Sequence, residues 1–361
     1  MILDAELSEG ARNLLINCAN VTRDMRILIV CEDPTLGWYD RTGPAAVEII
    51  ARDLGLDVTT ITCGPPGNDR DPSIDEAIAK HDCIIFFARI GDQDRFSDPP
   101  AGTTWVMSYA RTAWMLASAY GRTDHLAMVD VKNAVDKVLQ DSTTIEISCP
   151  LGTSVQGHPK QSSKNPTSAT RDTGIRRFPL GVPQPVSAAD FSGEVIIARY
   201  LTPTGSGVYE PPSLQLESQV CAVVNNGHII EFTGDTTEVK RVEAHYRSVA
   251  KLFATDPWVV HSWHAGIHPA CAINEGVDDN PDRWSNSVFT HPRFLHFHTC
   301  GDYAPGEICW MIMDPTVTVE GQPLWCQGQI NLDGFDATRE SLARWPILKS
   351  LMKNPSPFIG L

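Results

Sequence analysis

Six of the eleven histidines, His261, His264, His268, His291, His296 and His298, fall within 38 consecutive residues. Scattered core histidines do not produce such a concentration, and imidazole is the commonest protein ligand for zinc, iron and similar ions. The run His296-Phe297-His298 is strand-like, so a period of two places both imidazoles on one face, where they can share an ion. His264 and His268 have the i, i+4 spacing of a helical ligand pair, but Gly266 and Pro269 argue against a regular helix, and only one of the two is expected to ligate. The expected metal ligands are therefore His264, His296 and His298. A hydrogen-bonded structural role competes with ligation for each of them and is the stronger reading for His261, His268 and His291. Asp302, Tyr303 and Glu307 follow directly and have the chemistry of an oxygen ligand, a phenolic proton donor and a general base. Cys300 and Cys309 flank them and read as buried thiols, with ligation as the alternative.

Holding such a set in place takes a well-packed domain, and 361 residues suffice for two. The predicted division is a doubly wound α/β domain over residues 1–145 and a β-rich α+β domain over 146–361 that carries the metal site. In the first, Arg26 to Cys31 reads as a buried strand, Asp57 to Cys63 and Cys83 to Phe87 as a second and a third strand, Pro44 to Leu54 as a helix, Thr103 to Tyr120 as a helix, His125 to Val129 as a strand and Val131 to Leu139 as a helix. No glycine-rich phosphate loop follows the first strand, which speaks against nucleotide binding, and Glu32-Asp33-Pro34 reads as a solvated loop, with ligand contact as the alternative. Thr144 to Cys149 reads as a strand, and Gln156 to Pro185 as a loop or crossing between domains. Glu194 to Tyr200, Gln219 to Val224 and His228 to Phe232 alternate as strands, with Asn225-Asn226-Gly227 as a hairpin turn and Gly321 as a later turn. Thr236 to Phe253 has helical periodicity that Asp256-Pro257 terminates. Trp258, Trp263, Trp284 and Trp310 surround the histidines and suit either core packing or stacking on a flat substrate.

Composition narrows the partners. A formal net charge of -15 opposes attraction to nucleic acid and anionic lipid, since both rely on Lys and Arg. No stretch approaches the roughly 20 apolar residues that span a bilayer, and the N-terminus lacks a secretion signal, so a cytoplasmic protein is expected. The ten cysteines show no CxxC pair and no compact spacing of a disulfide framework. The expected partner is a small-molecule substrate.

Several motifs together resemble one superfamily, that of the thermophilic metallo-aminopeptidases and of 2,5-dihydroxypyridine 5,6-dioxygenase, an iron-dependent ring-cleaving enzyme. They are Cys149-Pro150-Leu151-Gly152-Thr153, Ser192-Gly193-Glu194-Val195, the helix ending Ala250-Lys251-Leu252-Phe253-Ala254-Thr255-Asp256-Pro257 with His264-Ala265-Gly266 after it, and Pro315 to Gly321. The resemblance spans most of the chain and implies an iron-ligand role for His264, a metal-proximal Glu194, and a catalytic Tyr303 seven residues after His296. Homo-oligomerisation is implied by the same resemblance alone. Both relatives carry a later His-x-Asp ligand pair that this sequence lacks; either His296-x-His298 replaces it, Glu307 substitutes, or the metal is lost. The expected activity is that of a metal-dependent enzyme, with Fe(II) ahead of Zn(II), acting on a small cyclic or aromatic nitrogen-containing substrate by ring-opening dioxygenation or hydrolysis of an amide-like bond. A metallo-aminopeptidase and a non-catalytic ligand-binding protein are the alternatives.

Overall fold

The computed structural model describes residues 4–67, 70–159, 172–204, 209–302 and 306–361. The chain divides into two compact units, the first made of residues 1–129, 173–180 and 270–273, the second of 130–172, 181–269 and 274–361. Among the described residues no helix is long and apolar enough to cross a membrane.

The first unit is built on a five-stranded sheet, in the spatial order Asp57–Cys63, Arg26–Glu32, Cys83–Phe87, Thr104–Ser108 and Arg176–Phe178, with every neighbouring pair parallel. The central strands are near-continuous apolar runs because a parallel sheet is buried on both faces, and Cys83 to Phe87 is buried at every position. The second unit is antiparallel. Its eight-stranded sheet runs from His228–Gly234 through Val220–Asn225 and Ser192–Ile197 to Gln329–Ile330, and its six-stranded sheet has the order Leu214–Gln215, Tyr200–Pro203, Ile308–Met313, Phe294–Thr299, Val260–Ala265 and Val186–Ser187. The predicted hairpin at Asn226-Gly227 is present: both residues have positive φ, 47° and 70°, as a tight turn matched to strand twist requires.

The helix Thr236–Phe253 forms over the predicted span. The Asp235 carboxylate accepts from the backbone N–H groups of Thr237 and Glu238 at its start, and left-handed Ala254 closes it two residues before Asp256-Pro257. Four expectations fail. His125 to Val129 is the first turn and a half of a helix, His125–Asp141, because Asp124 accepts from the Leu126 N–H and lets the short apolar run continue as a helix. Thr103 to Tyr120 is not one helix: Thr104–Ser108 pairs with Cys83–Phe87 as a parallel strand, and only short helical pieces follow. Within the stretch read as a crossing, Arg176–Phe178 returns to the parallel sheet as its fifth strand. Glu32 is not in a solvated loop; it is 2% exposed and ion-paired with Arg89 at 2.7 Å, while Asp33 accepts from the Thr35 N–H.

Candidate functional site

The six-stranded sheet has two chemically distinct faces. One row across it consists of Leu201, Trp310, Phe297, Trp263 and Val186, all paired in register and all buried. The next residue on each strand points to the opposite face, giving the row Thr202, Cys309, His298, Ser262 and Ser187. Beside it lies a third row on that same face, Met311, His296 and His264. The strand alternation that buries three aromatic rings on one side thus collects three imidazoles on the other. Trp263 and Trp310 belong to the apolar face, and Trp310 donates to the Tyr246 hydroxyl at 2.6 Å, so they pack the core. Trp258 stacks on Tyr246 and Trp284 donates to the Ile359 carbonyl, which accounts for the other two tryptophans.

The ring of His264 lies 4.9 Å from that of His298 and 5.6 Å from that of His296, centroid to centroid. Phe289, which follows the helix Pro281–Val288, brings its ring to 6.2 Å from both His264 and His296. Ser285 of that helix donates to the Thr202 hydroxyl at 2.9 Å, which docks the helix against the polar face. His296 is the most telling member: both ring nitrogens are buried and neither has a hydrogen-bond partner among the described residues. Leaving such a group unmatched costs about 1–3 kcal/mol. Burial also pushes its imidazole down to about 3, so it is neutral and has a lone pair to offer.

The remaining histidines of the cluster are spoken for differently. His291 hydrogen-bonds the Ser356 carbonyl through Nε2 at 3.2 Å and accepts from the Arg293 N–H through Nδ1 at 3.1 Å, so both nitrogens serve the fold. His261 sits at a bulge in its strand, with Nδ1 3.1 Å from the Ser262 hydroxyl, and burial pushes it down to about 4 against the opposing pull of Asp302. His268 is fully buried beyond the strand end, and its backbone N–H bonds the Thr290 carbonyl. The glycine two residues after His264 has a steric cause: a Cβ at Gly266 would lie 2.2 Å from the His291 carbonyl oxygen.

Of the predicted catalytic residues, Glu307 is buried just before the Ile308–Met313 strand. Its backbone N–H bonds the Thr299 carbonyl, its carbonyl accepts from the Tyr209 hydroxyl, and its carboxylate helps to push up the Tyr209 phenol and the Cys300 thiol. Glu194 is exposed on the eight-stranded sheet, between Ser154 and Val223, on a different sheet from the imidazoles. Tyr303 lies outside the described residues. Burial drives the Cys300 thiol up to about 12, and Cys309 higher still. Met311, Ser262 and Phe289 share the histidine face and escaped the sequence reading, because alternation along one strand does not say which strand lies beside it.

Among the described residues no three His, Cys, Asp or Glu side chains are arranged, as they stand, to hold a metal ion. The strand spacing still suits one. Two imidazoles bound to a tetrahedral ion through bonds of about 2.0–2.1 Å have centroids roughly 5 Å apart, between the two separations found here. Turning a ring about its Cβ–Cγ bond re-aims the nitrogens without moving a strand. His264, His296 and His298, all buried, have the donor chemistry of a zinc or iron site.

No protein-family model matches this sequence, and no curated protein matches it. Solved structures do. The chain is similar in fold to 2,5-dihydroxypyridine dioxygenase from Pseudomonas putida KT2440, with a TM-score of 0.61 and 12% identity, over 94% of this chain and all of that one. It is similar also to AmpT from Thermus thermophilus, with a TM-score of 0.50 and 12% identity, over 90% of this chain and 98% of that one. The resemblance drawn from short motifs therefore coincides with a likeness of fold.

Proposed function

We propose that the protein is a metal-dependent enzyme whose ion is held by His264, His296 and His298, and that it opens the ring of a small aromatic or cyclic nitrogen-containing substrate using Fe(II) and oxygen. The observation that carries this reading is the buried His296, both nitrogens without a partner among the described residues, set beside two further imidazoles and the Phe289 ring. The dioxygenase among the structures of like fold supports oxygen-dependent chemistry over hydrolysis. A bound ion would supply Lewis acidity and open positions for substrate and oxygen. The chain's own contributions are separate. Phe289 excludes water from the imidazoles and offers a ring for a flat substrate to pack against; Glu307 serves as the general base and Tyr303 as the proton donor.

Hydrolysis of an amide-like bond is the Zn(II) counterpart. The aminopeptidase reading ranks below both, because a two-metal centre needs bridging carboxylates and Glu194 is exposed on the other sheet. Elemental analysis of the parent beside His264→Ala and His296→Ala tests the proposal. Near-stoichiometric iron or zinc in the parent, lost in both variants, is expected, with oxygen uptake on dihydroxypyridines separating oxygenase from hydrolase. A parent that takes up no metal after reconstitution overturns it in favour of a ligand-binding protein.

A further inference from the structure

We infer that Met311 supplies a thioether ligand to the ion proposed at His264, His296 and His298, with the Cys309 sulfur beside it, so that the site binds Cu(I) more tightly than Zn(II) or Fe(II). This rests on the metal site proposed above and goes beyond it by assigning donors and the class of ion.

The argument starts from register. His296 lies opposite His264 on one neighbouring strand and opposite Met311 on the other, so the three form one row. His298 lies opposite Ser262 and Cys309 in the row beside it. Residues directly opposite one another in an antiparallel sheet have Cβ atoms roughly 4.5–5.5 Å apart. That separation lets a flexible methionine reach an ion held by the imidazole across from it. Both sulfur residues are buried on this face, Met311 at 8% exposure and Cys309 at 3%. An ion in front of His296 would therefore have an imidazole on one neighbouring strand and a thioether side chain on the other.

None of the direct cross-strand partners of His296 and His298 is a carboxylate; they are His264, Met311, Ser262 and Cys309. Hard ions are selected by carboxylate and carbonyl oxygens, whereas thioether and thiolate donors select Cu(I), and imidazole suits both copper and zinc. Phe289 at 6.2 Å from two of the rings adds a dry apolar wall, in which neutral donors are the least costly to bury. Cellular availability decides which ion is loaded, while these donors set the order of affinity.

Full-length apo-protein is titrated anaerobically with Cu(I) against bicinchoninate, and separately with Zn(II) against a chromophoric chelator. The parent, Met311→Leu, Cys309→Ala and His296→Ala are compared, with circular dichroism confirming that each is folded. Leucine matches methionine in volume, so Met311→Leu keeps the core filled. The expected result is one tightly bound Cu(I) in the parent and a loss of at least about tenfold in Cu(I) affinity in Met311→Leu. Zn(II) affinity stays within about twofold in that variant, and His296→Ala loses both ions. X-ray absorption at the copper edge should show a sulfur neighbour in the parent that weakens in Met311→Leu. A Cu(I)-to-Zn(II) affinity ratio unchanged by Met311→Leu overturns the inference while leaving the histidine site standing. A parent that binds neither ion overturns both.

Discussion

Two regions bury charged or titratable side chains, and they treat them in opposite ways. At the C-terminal ends of the parallel strands, Glu32 receives Arg89 through its guanidinium at 2.7 and 2.9 Å and through its backbone N–H at 2.8 Å. The guanidinium groups of Arg89 and Arg111 lie over the Trp38 ring, at 4.2 and 4.9 Å, and Arg111 donates to the Tyr39 hydroxyl, which in turn donates to the Ser108 carbonyl. Open α/β sheets bind ligands at that edge, yet here the chain's own side chains occupy one another. On the histidine face, by contrast, the buried His296 has no hydrogen-bond partner among the described residues. Polar groups that satisfy each other stabilise the fold; a buried polar group left unmatched beside others of its kind is a candidate for an external partner.

The largest consequence of this contrast lies in the first region. Glu32→Ala leaves the Arg89 guanidinium without its carboxylate, a change expected to destabilise the protein by about 3–5 kcal/mol. A shift of the urea midpoint corresponding to under 1 kcal/mol would mean that water or another group replaces Glu32 and that the cluster is less self-contained than its geometry implies. The next test exchanges imidazoles for leucine within the second region. His291→Leu removes two hydrogen bonds and strands the Ser356 carbonyl and Arg293 N–H, at a cost of about 1–3 kcal/mol. His296→Leu removes a group with no hydrogen bond among the described residues and is expected to leave the metal-free protein unchanged or more stable by about 1 kcal/mol. Equal losses in the two variants would erase the distinction between structural and ligand histidines.

This distinction was only half visible in the sequence. His296-Phe297-His298 alternates within the strand Phe294–Thr299, so the common face of His296 and His298 follows from period two alone. His264 had to be placed by resemblance, since its i, i+4 partner His268 pointed to a helix that Gly266 and Pro269 already made doubtful, and the structure puts it on a strand. The edge strand Asp57–Cys63, the buried strand Cys83–Phe87 and the helix Thr236–Phe253 were legible because local pattern and tertiary role agree there. Thr104–Ser108 was not, because its strand character comes from the neighbour it pairs with. Strand neighbours are likewise what brought Met311 opposite His296 and left Glu194 on a different sheet.

A smaller effect of burial is a dependence on acid that both units share. Burial holds His125 in the first unit and His245 in the second at about 4, below the ordinary 6.5. The unfolded chain then takes up protons first as pH falls, so stability is full above about pH 6.5 and declines towards pH 4, by at most about 1.4 kcal/mol per pH unit for each group. His245→Leu should flatten that slope in urea unfolding measured between pH 7 and 4.5; an unchanged slope would show that His245 is already solvated.

The smallest expected effect concerns the carboxylate that the aminopeptidase resemblance singles out. Glu194 is exposed on the eight-stranded sheet, and neither of its strand neighbours, Ser154 and Val223, belongs to the histidine face. Glu194→Gln keeps the shape and removes the charge, so stability should move by no more than about 0.5 kcal/mol. Metal uptake should equal that of the parent, because the donors lie on the other sheet. Loss of a metal equivalent in Glu194→Gln, with stability intact, would carry a different meaning: the carboxylate would have to reach an ion, the imidazole site would no longer be complete without it, and a two-metal hydrolase would displace the mononuclear oxygenase.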